Sequence, residues 1–205
     1  MTAPTLEGGV EYVADCLGVL PVPGGVHPRM GTHNALVRLG TSQYLEVIAI
    51  DPSAPRPSRP RWFELDRLFD QTPRLATWMI LTSNLAGALA RVSLPLGPAE
   101  EMSRGTLAWR VTMPADGRLV LDGSAPGVIQ WSGSGHPSAM LPESGCALLD
   151  LTVQHKSIEQ VEALLREVDF DGPVTLRTPE GEDGSRLCAR IQTPHGVRVI
   201  DSERP

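Results

Sequence analysis

The chain has 205 residues, 41% hydrophobic and 20% charged, with glycine and proline together supplying 39 residues or 19%, which describes a folded, loop-rich protein long enough for a real core. A net charge of −6 argues against a phosphate-neutralising surface, so nucleic acid is not an expected partner. No apolar run approaches the roughly 18 residues of a membrane span and residues 1–9 lack signal-peptide features, so no membrane partner and a cytoplasmic location are expected.

Taken in chain order, the first segment opens on a leading strand that is missing or reduced to Thr2 to Thr5. Val10, Val13, Ala14 and Leu17 then follow helical spacing. Leu20 to Val26 reads as extended. Thr32 to Leu39 and Gln43 to Ile50 form a hairpin around Gly40-Thr41-Ser42. Four prolines lie between Pro52 and Pro60, marking a stiff surface loop or linker, and Arg61 to Phe69 follows as a short helix. The middle segment offers a strand from Leu75 to Leu81 and a helix capped by Ser83 or Asn84, with Leu85, Ala88, Leu89 and Val92 on one face. Strands at Thr106 to Thr112, Leu119 to Asp122 and Val128 to Trp131 complete it.

In the third segment Cys146 to His155 alternates as a strand, with Leu149, Leu151 and Val153 on one face and Leu148, Asp150 and Thr152 on the other. Ser157 to Gln160 spells a capping box, predicting a helix that carries Ile158, Val161, Leu165 and Val168 and ends near Phe170. Strands at Val174 to Arg177, Arg186 to Gln192 and Val197 to Asp201 follow, around turns at Glu180 to Gly184 and Pro194 to Gly196. The pattern is α+β: repeated βαβββ units forming curved mixed sheets around an open cleft, with helices outside. Two units, 1–52 and 74–131, make a domain over 1–140, and 146–201 is a third unit of similar plan. Cys16, Cys146 and Cys188 are odd in number with no CxxC pair and read as small buried hydrophobes.

The stretch Gly24-Gly25-Val26-His27-Pro28-Arg29-Met30-Gly31-Thr32-His33-Asn34-Ala35-Leu36, with Tyr44-Leu45-Glu46-Val47-Ile48-Ala49-Ile50-Asp51-Pro52, resembles the bacterial glyoxalase-like domain proteins of the vicinal oxygen chelate superfamily. Pro60-Arg61-Trp62-Phe63, Leu65-Asp66, Arg74 to Trp78, Val128 to Trp131 and Gly135-His136-Pro137 extend the likeness. The resemblance implies two βαβββ units whose sheets form a cleft, usually with a divalent metal chelated by two substrate oxygens. It places Glu46 at the last-strand glutamate ligand of the first unit and Gln130 at the equivalent position of the second. The first-strand histidine position of the first unit lies at or before Met1, and Trp78 stands near that of the second.

His33 and Glu46, on paired strands of one hairpin, are the expected catalytic or metal-ligating pair: part of a facial metal site, or a base with its orienting acid. Gln130 joins them as the third metal ligand. Tyr44, Asn34, Trp109 and Trp131 are expected to line a substrate pocket, with His136 on a Gly/Ser loop that closes over it. His27 is read as a loop histidine on the approach to the same motif, His155 and His195 as junction and turn residues, and Arg38 and Arg110 as solvated charges. Two functions follow. One is a lyase, isomerase or dioxygenase-like enzyme acting on a small oxygenated metabolite; the other is a non-catalytic protein that sequesters a small-molecule ligand in the same cleft. The third unit is a candidate homodimer contact.

Overall fold

A computed structural model describes residues 1–67, 72–133, 136–179 and 184–202. The described chain forms eleven strands in three separate sheets, with few helices. Helix α1 (Leu6–Leu17) is capped at its start by the Thr5 hydroxyl, which accepts from the Gly8 N–H, and ends on left-handed Gly18. Its buried Val13 and Leu17 follow the predicted spacing. Strands β1 (Val22–His27), β2 (Thr32–Arg38) and β3 (Tyr44–Ile50) form the first sheet, antiparallel in the order β1-β2-β3. The outer edge of β3 carries a single parallel bridge, Thr2 to Ile48, and Thr2 also bridges Arg74.

The second sheet has the order β4-β7-β6-β5, from β4 (Met79–Leu81), β5 (Ala99–Arg104), β6 (Leu107–Thr112) and β7 (Gly127–Trp131). The expected strand at Leu119 to Asp122 does not form. Leu121 and Asp122 adopt positive φ of 47° and 52° in a tight turn, a conformation no strand contains. The strand that takes its place, β5, is polar at four of its six residues and buries only Met102, so its sequence carries little apolar alternation. The Leu75 to Leu81 strand is cut to three residues. Trp78 keeps one last bond to β7, its carbonyl accepting from the Gly127 N–H at 3.1 Å, while its indole donates to the Ser124 carbonyl at 2.9 Å. Helix α2 (Leu85–Leu89) starts at Asn84, whose side chain accepts from the Gly87 N–H, and stops before Val92.

A four-residue helical turn, α3 (Pro137–Met140), leads to the last sheet. There β8 (Ala147–Gln154), helix α4 (Ile158–Glu167), β9 (Val174–Arg177), β10 (Arg186–Thr193) and β11 (Gly196–Asp201) give the order β11-β10-β8-β9. The chain order is again βαβββ, but the threading differs from the second sheet: β9 pairs parallel with β8 directly, and β8 is central instead of marginal. A bulge between Arg190 and Ile191 shifts the register so that Ile191 faces Leu148. Leu149 is thereby turned outward and 41% exposed, against the alternation expected of it. The capping box at Ser157 is not made either. The Ser157 N–H donates to His155 Nδ1, and its side chain caps nothing. Helix α4 ends at Glu167 because Asp169 turns left-handed. Phe69 and the turn residues 180–183 lie outside the described residues.

Three cores hold these layers together. Val37, Leu45 and Val47 of the first sheet pack with α1 and with Leu151, Leu187 and Ile191 of the third. Leu85, Val128, Val161 and Leu164 join α2 and α4 behind the second sheet. The inner faces of the first two sheets share Met30, Ile48, Trp62, Met102, Trp109 and Ile129. Cys146 is buried, Cys16 and Cys188 are half-buried, and all three are free thiols.

Candidate functional site

Directly opposed residues of an antiparallel pair point the same way. In the β2–β3 hairpin Glu46 faces Leu36, Tyr44 faces Arg38 and Ile48 faces Asn34, so Asn34, Tyr44 and Glu46 share the inner face. His33 faces Ala49 and belongs to the other side. In the register observed the expected His33–Glu46 pair is split, with His33 opposite Ala49 and Glu46 opposite Leu36 on the two faces of the hairpin, whereas a slip of one residue would have put them on the same face. The histidine that does stand with Glu46 is His27, at the end of β1, paired with Thr32 and held by a 3.1 Å hydrogen bond between its Nδ1 and the Thr32 hydroxyl. His27 is 4% exposed. Burial drives its pKa below the ordinary 6.5, the Glu46 charge opposing and Arg104 reinforcing the shift, so the ring is neutral at pH 7.

The floor of the cleft is a chain of three polar side chains. Asn34 Nδ2 donates to Glu46 Oε1. Arg104 Nη1 donates to Asn34 Oδ1 at 2.8 Å, bridging strands 70 residues apart. Gly24 and Gly25 make room for this chain. Gly24 is the extra residue of a bulge against β2, and a Cβ there would lie 2.2 Å from Asn34 Oδ1. One on Gly25 would lie 2.8 Å from the Arg104 Cδ. The glycine pair that suggested no phosphate loop thus clears the path of two site residues.

The opposite wall comes from the second sheet, where Trp109 faces Trp131 and Val111 faces Ile129. The Trp109 and Trp131 rings lie 4.9 Å apart, and His136 packs on Tyr44 at 5.6 Å and on Trp131 at 6.2 Å. Burial lowers the His136 pKa. For Tyr44, burial, with the Glu46 charge second, raises the phenol pKa, so it stays protonated. A third wall is the segment Trp62–Arg67, in which Phe63 and Glu64 hold left-handed φ of 58° and 56°. Such strain costs about 1–2 kcal/mol per residue. It is held by the Glu64 N–H donating to the Gly117 carbonyl at 2.9 Å, on a loop that approaches so closely that a Cβ on Gly117 would lie 2.0 Å from the Arg61 carbonyl oxygen.

The expected residues Glu46, Tyr44, Asn34, Trp109 and Trp131 all line this cleft. His136 stands beside it through Tyr44 and Trp131. Gln130 does not join them: it pairs with outward Arg110, its Oε1 accepts from the Leu85 N–H and its Nε2 donates to the Ser83 carbonyl, so it caps α2 on the outer face. Arg38 is engaged by Glu143 and the Gly40 carbonyl. The residues missed from sequence are His27, read as a loop histidine but placed at the end of β1, and Arg104, Trp62 and Phe63. Arg104 sat on a strand too polar to recognise, and the other two on a segment read as a helix. The cleft itself has a free volume of about 50 Å³. A larger cavity of about 510 Å³ adjoins it, with Tyr44, Glu46, Phe63, Met79, Ile129 and Trp131 lining both. That size lies within the 300–1,000 Å³ range typical of small-molecule sites.

The residues present do not fit the divalent metal that the sequence resemblance implies. Among the described residues no group of three or more His, Cys, Asp or Glu side chains converges. Among the described residues the only His, Cys, Asp or Glu side chains lining the cleft are His27 and Glu46, and the adjoining Asn34 oxygen is taken by the cationic Arg104 guanidinium. A divalent ion needs more anionic or imidazole donors than this and is repelled by the arginine.

No helix is long and apolar enough to cross a membrane among the described residues. No curated protein matches the sequence. Among solved structures, a hypothetical protein from Staphylococcus aureus is similar, with a TM-score of 0.50 at 14% identity, the match covering 89% of this chain and 76% of that one. It supports the fold alone. The glyoxalase-like domain family model matches residues 1–168, well past the two expected units and through β8 and α4. With the fold and the match in agreement, the chain belongs to the glyoxalase-like domain family of the vicinal oxygen chelate superfamily.

Proposed function

We propose that the cleft and its adjoining cavity bind a small organic molecule without a metal ion. The observation that carries this reading is the convergence of a polar chain, Asn34, Glu46 and Arg104, with the aromatic wall of Trp109 and Trp131 across one concave space. Apolar walls supply affinity and a few fixed polar groups supply orientation, the usual division in small-molecule sites. Thermal-shift screening of the whole chain against organic metabolites, with and without divalent metals and a chelator, tests it. The expected result is stabilisation by organic compounds that is indifferent to metal and chelator. Stabilisation by metal alone, with none by any organic compound, overturns it.

Enzymatic chemistry is the second reading, favoured by the Glu46 carboxylate. Its Oε1 is held by Asn34, while Oε2 accepts no hydrogen bond among the described residues. In this reading Glu46 removes a proton next to a carbonyl of the bound molecule and returns it. Deuterium incorporation from heavy water at that carbon, lost in Glu46→Gln, supports catalysis; no exchange in the wild-type chain leaves binding as the function.

A further inference from the structure

The binding reading leaves the chemistry of the guest to be named, and the two charges of the polar floor narrow it. Glu46 and Arg104 stand on either side of one amide group: Asn34 Nδ2 donates to Glu46 Oε1, and Asn34 Oδ1 accepts from Arg104 Nη1 at 2.8 Å. Asn34 is buried and fixed in the β1–β2 register opposite Gly25, over which the Arg104 side chain lies. The amide is a spacer between opposite charges. Neither charge makes an ion pair among the described residues, whereas Arg29 and Arg59 both close on Glu100, and Arg61 closes on Asp66. Each therefore keeps hydrogen-bonding capacity to spare. Glu46 Oε2 and Arg104 Nε and Nη2 have no partner among the described residues, and none of the three is sealed from solvent as the Trp62 and Trp131 indole nitrogens are. Both side chains line the cleft, and the charges of both act on His27 and Tyr44, which line it too.

Holding opposite charges apart forgoes their mutual attraction, and a half-buried charge without a counter-charge is unfavourable. A guest with one charge satisfies one of the two and leaves the other bare. A guest carrying both on neighbouring atoms satisfies both and brings no net charge into the cleft. We infer that the cleft takes a zwitterion: an α-amino acid whose carboxylate is received by Arg104 and whose ammonium is received by Glu46, with a bulky apolar side chain against Trp109 and Trp131. This assignment rests on the binding reading above. The adjoining cavity of about 510 Å³ gives such a side chain the room that the 50 Å³ cleft lacks.

Ligand-observed NMR titration of the full chain at neutral pH tests the inference with four probes that share a phenylalkyl body: L-phenylalanine, 2-phenylethylamine, 3-phenylpropionate and 3-phenylpropanamide. The expected order puts phenylalanine first, by about tenfold or more over each of the others, because either ion lacks one charge-assisted contact and the amide lacks both. Arg104→Met should remove the advantage of phenylalanine over 2-phenylethylamine and keep that over 3-phenylpropionate; Glu46→Gln should do the reverse. A residue that only holds the fold would weaken all four probes alike. The wild-type ranking is read without either variant, so a variant that does not fold leaves the inference open to refutation. An ion or the amide binding as tightly as phenylalanine overturns the zwitterion, and so does selectivity unchanged in both variants. Binding of another probe, or of a compound in the metabolite screen, without binding of phenylalanine overturns the zwitterion and leaves the binding reading in place. No binding of any probe, together with an empty screen, overturns both.

Discussion

The two sheets that enclose the cleft are built from similar units yet contribute different chemistry. The first sheet supplies His27, Asn34, Tyr44 and Glu46; the second supplies Met79, Trp109, Val111, Ile129 and Trp131, with Arg104 as its one charge. Their outer edges differ too. In the second sheet β4 pairs with the edge of β7 over three residues, whereas β3 carries only the Thr2 bridge. A polar wall facing an apolar wall can orient a guest, because each end of the molecule has one side to prefer. Two identical walls could not. Arg104 is what couples the walls, reaching from the apolar sheet to the polar one.

The largest effect should come from the apolar wall. Trp109 is 6% exposed among Met102, Trp62 and Ile129, and Trp109→Ala should destabilise the fold by about 3–5 kcal/mol in denaturant titrations. A loss below about 1 kcal/mol would mean that the wall is not packed as described. On the polar wall, Gly24→Ala should cost about 1–2 kcal/mol by displacing the Asn34 oxygen. Most of that loss should vanish when Asn34→Ala is already present, a non-additivity readable in a double-mutant cycle. Full additivity would show that Gly24 acts through the bulge and not through Asn34.

A smaller effect separates the tryptophans themselves. Trp78→Phe removes a made hydrogen bond and should cost about 1 kcal/mol, whereas Trp62→Phe removes an unmet donor and should leave stability unchanged or raise it. Equal losses would break the distinction. The mildest is a pH effect. The folded pKa of His27 lies below 6.5, so between 6.5 and that lower value the unfolded chain binds a proton that the folded chain refuses. Stability therefore falls as pH drops below about 6.5, and His27→Gln should flatten that fall in thermal melts; His136 contributes with the same sign.

Much of the fold is legible in local pattern. Helix α1, the β2–β3 hairpin and β8 to β11 announce themselves by period and turn residues, since each alternation is written within a dozen residues. Five of the expected pocket residues lie in the cleft because inward aromatics and the hairpin glutamate follow that same alternation. The failures have separate causes. His33 is expected beside Glu46 because period two tells which residues of one strand share a face and leaves the register between strands open, whereas Gln130 is expected there from the family resemblance alone. At β5 and at Leu119 to Asp122 the local apolar signal points the wrong way, since an edge strand can be mostly polar and a left-handed turn can be apolar.

The amino-acid sequence by itself determined the family, the α+β plan, and the position of a glutamate and several aromatics on strands able to border a cleft. Their alternation and turn chemistry are local properties, set by backbone geometry within each segment. Only the tertiary structure decided that His27 and not His33 stands beside Glu46, that Arg104 completes the polar floor from 70 residues away, and that Trp62 and Trp131 keep unmet donors. Those outcomes depend on strand register and on how two sheets meet. Such contacts are selected by burial and hydrogen bonding over the whole molecule, and no window of sequence contains them.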